Sequence, residues 1–359
     1  MAQILHLLGA NLPTGTAKQI GYLSQGSQSQ GYVSNHCSVE FSQPRKQILQ
    51  SILPDTTFCR QSLRLDPTLV IRLAQRIRAT NPEIVHCWGT LSPSLVRMAL
   101  RLSGGPAEVW SIRSQAEKEN VGKPDGSYSI VTNAAHLTEG PDNAAPTTVI
   151  NNGVATASTP NIVAPLIHKL ELESNTQFVA AVGDLRSKKQ LKNLVWSLDL
   201  LRVIHPNVHL LIVGDGAEEQ KLSSFIQTTT CPEAAHLLGH REDVASILQQ
   251  CVCFWQSSAD EGCSNAMLEA MSLGIPVIAS DTPGHRELTQ GDKYGKLVPL
   301  GDCAEFARKT NVLLNSLDAA QEKSSNAREH VRQHYSLSDM AEKYHTFYQQ
   351  LVERKASAA

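Results

Sequence analysis

The chain has 359 residues, 41% of them hydrophobic and 18% charged, with a formal net charge of −2. Such a chain has ample material for a core and is long enough for two domains. The near-neutral balance supplies no basic field for nucleic acid, and no run of eighteen apolar residues offers a membrane-spanning helix.

In chain order, Ile4 to Leu8 reads as a buried strand; the opening residues lack the basic stretch and small-residue cleavage site of a signal peptide. Thr16 to Ser29 reads as a weak helix, with the Ser/Gln/Gly run Ser24 to Gly31 as its polar end and turn. Helical periodicity follows over Pro67 to Ala79, a strand over Glu83 to Trp88, a helix over Leu91 to Leu102 and a strand over Glu108 to Ile112. Two further short strands are expected at Ser129 to Asn133 and Thr148 to Asn151. Gly153 to Pro165 has no amphipathic pattern and reads as a linker. A second strand–helix alternation runs from Phe178 to about Leu314. Helices are expected over Ala319 to Tyr335 and Leu337 to Arg354, the last with Met340, Tyr344, Phe347, Tyr348 and Leu351 on one face. This alternation predicts α/β architecture with parallel sheets. The domain boundaries expected are 1–153, a linker and domain entry over 154–176, and 177–336, with the helix at 337–359 packing back on the first domain.

The eight cysteines have no metal-finger spacing and read as buried small hydrophobes in a reducing cytoplasm. Cys251 and Cys253, two apart on an apolar strand, are expected on one face. No Asp-x-Asp occurs, so no acidic pair is offered to a divalent ion, and neither a metal nor a cofactor is expected.

The densest chemistry lies at Ser258 to Met271. Apolar runs flank it at Cys251 to Trp255 and Pro276 to Ala279, which gives strand, polar loop, helix, strand. Ser264 is a natural N-cap. Gly262, Cys263 and Ser264 place backbone N–H groups at the helix start, and Glu261 and Glu269 stand on either side. Carboxylates beside an anion cradle suit a ligand whose hydroxyls flank a phosphate, such as a nucleotide-sugar.

This segment resembles the Glu-x7-Glu motif of glycosyltransferase family 4, retaining enzymes of the two-domain GT-B fold. The likeness extends from Phe178 to Asp302, through Val182-Gly183-Asp184-Leu185 to Lys189, His209 to Gly216, His236 to Gly239 and Gly295 to Pro299. It implies two Rossmann-like domains facing across a cleft, the second binding a nucleoside-diphosphate sugar and the first presenting an acceptor surface. By resemblance, Glu269 holds the ribose, Glu261 the donor sugar, the amides of Gly262 to Asn265 the sugar and diphosphate, and Lys189 the diphosphate. Gly183, Gly214 and Gly15 would line the donor's path, and His86 would stand near the reacting sugar. The alternatives are a solvent-facing Glu269, a solvated basic cluster around Lys189, a core His86 and a plain turn at Gly15.

The chain departs from the family where Asp184 replaces the usual arginine, Gln190 and Thr16 replace glycines, and Trp88 stands at a frequent histidine position. Arg186 is the candidate substitute for the missing arginine. The expected activity is metal-independent sugar transfer with retention. The sequence does not name the acceptor; the resemblance implies a sugar or lipid-linked precursor of a cell-surface polysaccharide, and a cytoplasmic location compatible with the inner face of a membrane. A degenerate relative that binds nucleotide-sugar or a partner without turnover, and a nucleotide-sugar epimerase, are the competing readings. Gly214-Asp215-Gly216 lacks the third glycine of a dinucleotide fingerprint, which argues against a dehydrogenase.

Overall fold

The computed structural model describes residues 2–9, 12–39, 43–59, 67–121, 128–138, 145–155 and 166–358. The chain divides into two units, Met1–Gly153 with Leu337–Ala359, and Val154–Ser336. Of the segment read as a linker, residues 156–165 lie outside the described residues.

The elements begin with β1 (Ala2–Leu8), α1 (Thr14–Ser29), β2 (Tyr32–Val39), α2 (Gln43–Ile52), β3 (Thr57–Cys59), α3 (Pro67–Thr80), β4 (Ile84–Trp88) and α4 (Pro93–Leu102). They continue with β5 (Ala107–Ile112), α5 (Gln115–Val121), β6 (Ser129–Thr132), β7 (Thr147–Val149), α6 (Leu166–Lys169), β8 (Gln177–Val182), α7 (Leu191–Arg202), β9 (Val208–Val213) and α8 (Glu219–Ile226). The remainder is β10 (Ala235–Leu237), α9 (Val244–Leu248), β11 (Cys251–Gln256), α10 (Asn265–Ser272), β12 (Val277–Ser280), α11 (Pro283–Thr289), β13 (Lys296–Val298), α12 (Cys303–Leu314), α13 (Leu317–His334) and α14 (Leu337–Ala358).

Among the described residues each unit has one parallel sheet, ordered β3-β2-β1-β4-β5-β6-β7 in the first and β10-β9-β8-β11-β12-β13 in the second. Both orders reverse direction after their first strand, the doubly wound pattern that opens a crevice at the strands' carboxyl ends. Both sheet faces are covered, which is why the strands read as near-continuous apolar runs. Along β1, Ile4 and Leu8 join a cluster with Met340, Tyr344, Phe347 and Tyr348 of α14, whereas Leu5 and Leu7 join one with Leu69, Leu73 and Val96 of α3 and α4. The period-two alternation of a strand therefore feeds two cores.

Two local expectations change, beside one that holds: the Ser/Gln/Gly run is, up to Ser29, the polar end of α1, which stops where the expected helix stops. Its low helix propensity is overridden by packing, because Gly26 lies where an added Cβ would come within 2.6 Å of Ala341 Cβ on α14. Cys251 and Cys253 do not share a face. The pairing with β8 shifts register between them, so Cys251 packs with Phe178 and Phe254 and Cys253 with Trp255 and Ile278. Finally, α2 and β3 fall where no element was expected.

Gly26→Val is expected to destabilise the first unit by about 1–3 kcal/mol, since the extra carbons have no room beside Ala341. Denaturant unfolding checks this, and Ala341→Gly in the same chain should recover part of the loss.

Candidate functional site

The site is built at the carboxyl ends of β8 and β11, neighbours on either side of the point where the second sheet's strand order reverses. After β8 the chain makes a tight passage through Gly183 to Leu185, then a single 3-10 turn at Ser187–Lys189. Its path is fixed from below by the turn after β9. Gly183 N–H donates to Val213 O and Leu185 N–H to Asp215 O. A Cβ on Gly214 would sit 2.1 Å from Gly183 O, and one on Gly216 would sit 2.5 Å from Leu185 O. Both residues also have φ above +130°, outside the range of L side chains. Gly214 is thus a packing glycine, and its N–H is engaged by Gly239 O at 2.8 Å.

After β11 the loop is stitched onto that basic turn. Ser257 Oγ donates to Lys189 O at 2.6 Å, and Ala259 N–H donates to Lys188 O at 2.9 Å. Gln190 takes the left-handed conformation, φ 49° and ψ 37°, at the end of the turn, which explains why a glycine suits this place. These bonds present the Lys189 side chain along Gly183, whose added Cβ would lie 3.4 Å from Lys189 Nζ. Lys189 and Gly183 line a small pocket with Ser257 and Ser258.

Lys189 Nζ donates to Glu261 Oε1 at 2.5 Å, both side chains being about 15% exposed (16% and 14%). Burial by itself would raise the Glu261 carboxyl. The charges of Lys189 and Lys188 and the Lys189 hydrogen bond outweigh it and hold the group at about 2, against an ordinary 4.5. Beyond Glu261, Gly262, Cys263 and Ser264 are buried. Ser264 caps α10, its Oγ accepting from Met267 N–H at 3.5 Å. Asn265 opens the helix and Glu269 sits one turn further on, both half-buried, while Met267, Leu268 and Met271 fill the core. Gly284, at the start of α11, presses against this loop: a Cβ there would lie 2.2 Å from Gly262 O and 2.3 Å from Glu261 O.

Arg186 pairs with Asp184, Nη2 to Oδ2 at 3.1 Å. The acid that replaces the expected arginine thus holds the next arginine in the turn. Lys189, Glu261, Gly183, Arg186 and the loop from Gly262 to Asn265 are assembled on adjacent strand ends, with Glu269 on the helix beyond them.

Two expected residues, His86 and Gly15, lie in the first unit. His86 has no exposed surface in the first unit; its Nδ1 bonds the Tyr348 hydroxyl at 2.7 Å and its Nε2 bonds Ser111 Oγ at 2.8 Å. Both ring nitrogens are used within the core, and the ring stacks on Trp88 at 4.1 Å between centroids. Burial, with the Arg113 charge, holds the imidazole well below its ordinary range. The histidine is a packing residue and presents no nitrogen to a ligand. Gly15 lies in the first turn of α1, so the glycine loop expected there is helix.

Sequence reading missed His285 and Thr282. Both are buried at the start of α11, and His285 Nε2 and Thr282 Oγ1 have no hydrogen-bond partner. The signal was a further strand–loop–helix junction, Ser280 to His285, with Pro283 at the helix's first position. Among the described residues no group of three or more His, Cys, Asp or Glu side chains could hold a metal ion, and no helix is long and apolar enough to cross a membrane.

A folded-state carboxyl held at about 2 stabilises the fold fully above its ordinary 4.5 and loses that contribution as pH falls toward 2. Wild type should therefore lose roughly 2–3 kcal/mol between those limits that Glu261→Gln does not. The difference between their urea-unfolding curves at a series of pH values measures it.

Residues 165–330 match the family model of glycosyl transferases group 1. A UDP-Gal:alpha-D-GlcNAc-diphosphoundecaprenol alpha-1,3-galactosyltransferase of Escherichia coli is 28% identical over 285 residues, 70% of this chain and 71% of that protein. An uncharacterized glycosyltransferase of Haemophilus influenzae is 25% identical over 178 residues, 49% of this chain. The chain spans half the length of that relative. Among solved structures, Anabaena HepE in complex with UDP and glucose superposes with a TM-score of 0.82 at 18% identity, covering 99% of this chain and 100% of HepE. A glycosyltransferase from Rickettsia africae superposes at 0.79 with 17% identity, covering 98% of each chain. The second unit thus carries the signature of glycosyl transferases group 1, on a chain that has the GT-B fold.

Proposed function

We propose that the chain is a retaining glycosyltransferase of the family 4 type, moving a sugar from a nucleoside-diphosphate sugar to a hydroxyl acceptor. The observation that carries this reading is the Lys189–Glu261 pair at the switch point between β8 and β11, backed by the loop that opens α10. A cation and a carboxylate side by side match the two ends of a sugar diphosphate. Lys189, assisted by Arg186, meets the phosphates and stabilises the charge that builds on the leaving diphosphate. Glu261 accepts hydrogen bonds from the sugar hydroxyls, Glu269 from the ribose, and the amides of Gly262 to Asn265 face the sugar and diphosphate.

In this reading the cationic side chains serve where other transferases use a metal ion, and no cofactor is needed. Retention follows from front-face attack, with a donor phosphate oxygen taking the acceptor's proton. The chain's part is to orient the donor and support the departing diphosphate. A uridine nucleotide is the first candidate donor, supported by the UDP complex of HepE and the UDP-Gal donor of the E. coli relative. That relative's diphosphoundecaprenol acceptor supports a lipid-linked glycan precursor, met at the inner face of a membrane from the cytoplasm.

One observation favours a second reading, nucleotide-sugar binding without turnover: the histidine expected near the reacting sugar is locked in the core. Incubation with UDP-, GDP- and ADP-sugars and a panel of polyprenyl-diphosphate sugars separates the two. Transfer supports the enzyme, and tight binding with neither transfer nor donor hydrolysis supports the binding protein.

Glu269→Ala should weaken nucleotide binding about tenfold, while Glu261→Ala should leave bare nucleotide binding in place and lower transfer by ~10²-fold or more. Calorimetry and a transfer assay read the two effects; wild-type behaviour of both variants would remove the motif from the site. Because Asp184 holds Arg186 at 3.1 Å, Asp184→Arg should free and repel that guanidinium and lower diphosphate affinity. Tighter diphosphate binding by this variant would show that the acid weakens the site instead.

A further inference from the structure

His285 is fully buried on the first turn of α11, and none of the donor contacts proposed for Lys189, Glu261, Glu269 or the α10 loop involves it. Its Nδ1 lies 2.7 Å from Ser280 O. A carbonyl can only accept, so Nδ1 carries the proton and the neutral ring presents Nε2 as a bare acceptor. Burial, set against the hydrogen bond to Ser280 O and the charge of Glu261, keeps the ring below its ordinary range and hence neutral. Nε2 has no hydrogen-bond partner in the chain. Three residues back, Thr282 is 4% exposed. It stands at the N-cap of α11, yet its hydroxyl makes no cap bond and has no partner either. A threonine there ordinarily closes onto a helix amide, a bond worth about 1 kcal/mol.

Two orphaned polar atoms on one helical turn are costly in a buried place, where an aliphatic side chain would pack without that cost. Their location gives them a use. Gly284, between them, touches the backbone of Glu261 and Gly262, and the charges of Glu261 and Lys189 both act on the His285 ring. Glu261 is an ionised carboxylate with no proton to offer Nε2. The missing partner must bring an O–H or N–H of its own.

We infer that His285, with Thr282 beside it, is a specificity-determining contact for the donor's sugar: Nε2 accepts from one sugar hydroxyl and the Thr282 hydroxyl bonds its neighbour. The inference rests on the donor-site reading under Proposed function and extends it to the first turn of α11. The two side chains and Glu261 then surround a hexose with adjacent free hydroxyls. A bare nucleoside diphosphate, which has no sugar there, leaves both atoms unpaired.

The test is calorimetry on wild type, His285→Phe, His285→Gln and Thr282→Val, with the UDP/UDP-glucose, GDP/GDP-mannose and ADP/ADP-glucose pairs. In whichever pair wild type binds best, His285→Phe should keep the nucleotide's Kd within about twofold and weaken the nucleotide-sugar by about tenfold. His285→Gln, whose amide oxygen can accept, should recover part of the loss. Thr282→Val, close in shape, should weaken only the sugar-bearing ligand, by about threefold, and it serves if His285→Phe does not fold. A donor lacking the contacted hydroxyl should bind wild type and His285→Phe alike. Unchanged nucleotide-sugar binding in the folded variants, or equal weakening of both ligands, overturns the inference and leaves the donor site standing. Wild type that binds no member of any pair overturns the donor site itself.

Discussion

The Lys189–Glu261 ion pair is the constraint around which the second unit's strand ends are arranged. A lysine and a glutamate this shielded from water are stable only when they meet at short range, and they meet at 2.5 Å. To bring them together, the turn after β8 and the loop after β11 must be held in contact. Ser257 and Ala259 do this by bonding the carbonyls of Lys189 and Lys188. The pair also fixes the electrical state of the site. Glu261 stays ionised far below its ordinary range, so it acts on a ligand as an acceptor only. In the proposed reading, a phosphate that takes Lys189 leaves that carboxylate needing new donors, and sugar hydroxyls supply them.

The layer beneath is made of backbone in contact with backbone. Gly214 and Gly216 lie against Gly183 and Leu185, and Gly284 lies against Glu261 and Gly262. None of these places has room for a methyl group. Gln190, in the left-handed region, is the exception in which a side chain is carried at a conformational cost of roughly 1 kcal/mol. The site is therefore placed by rigid turns at strand ends, and the charged side chains proposed to meet the donor are few: Lys189, Arg186, Glu261 and Glu269, with His285 and Thr282 as inferred.

The first unit uses its polar residues differently. His36, His6 and His86 stand in register across β2, β1 and β4, all buried, under the aromatic side of α14. Their bonds run to neighbours in the same core: His86 to Tyr348 and Ser111, His36 to Ser24, and Trp88 to His6. A histidine at the end of an apolar strand carries the same letter whether it is core or catalyst. Only its partners distinguish the two, and Tyr348 lies 262 residues away.

The sequence by itself determined the features that short-range rules govern. Period-two and helical patterns placed Ile4–Leu8, Pro67–Ala79 and Glu83–Trp88 within a residue or two of β1, α3 and β4. Ser264 was legible as a cap because capping is a local bond. The loop with Glu261 and Glu269 was legible because helix, glycine and acids occur together in a short span. Tertiary structure decided whatever depends on distant partners. A register shift beside β8 turns Cys251 and Cys253 to opposite faces. The short edge strand β3 exists through its pairing with β2. Asp184 stands where the resemblance puts an arginine, and only the folded turn shows Arg186 paired with it. His285 and Thr282 became visible only when burial had removed water from two polar atoms that the chain leaves unpaired, a property of packing that no local pattern encodes.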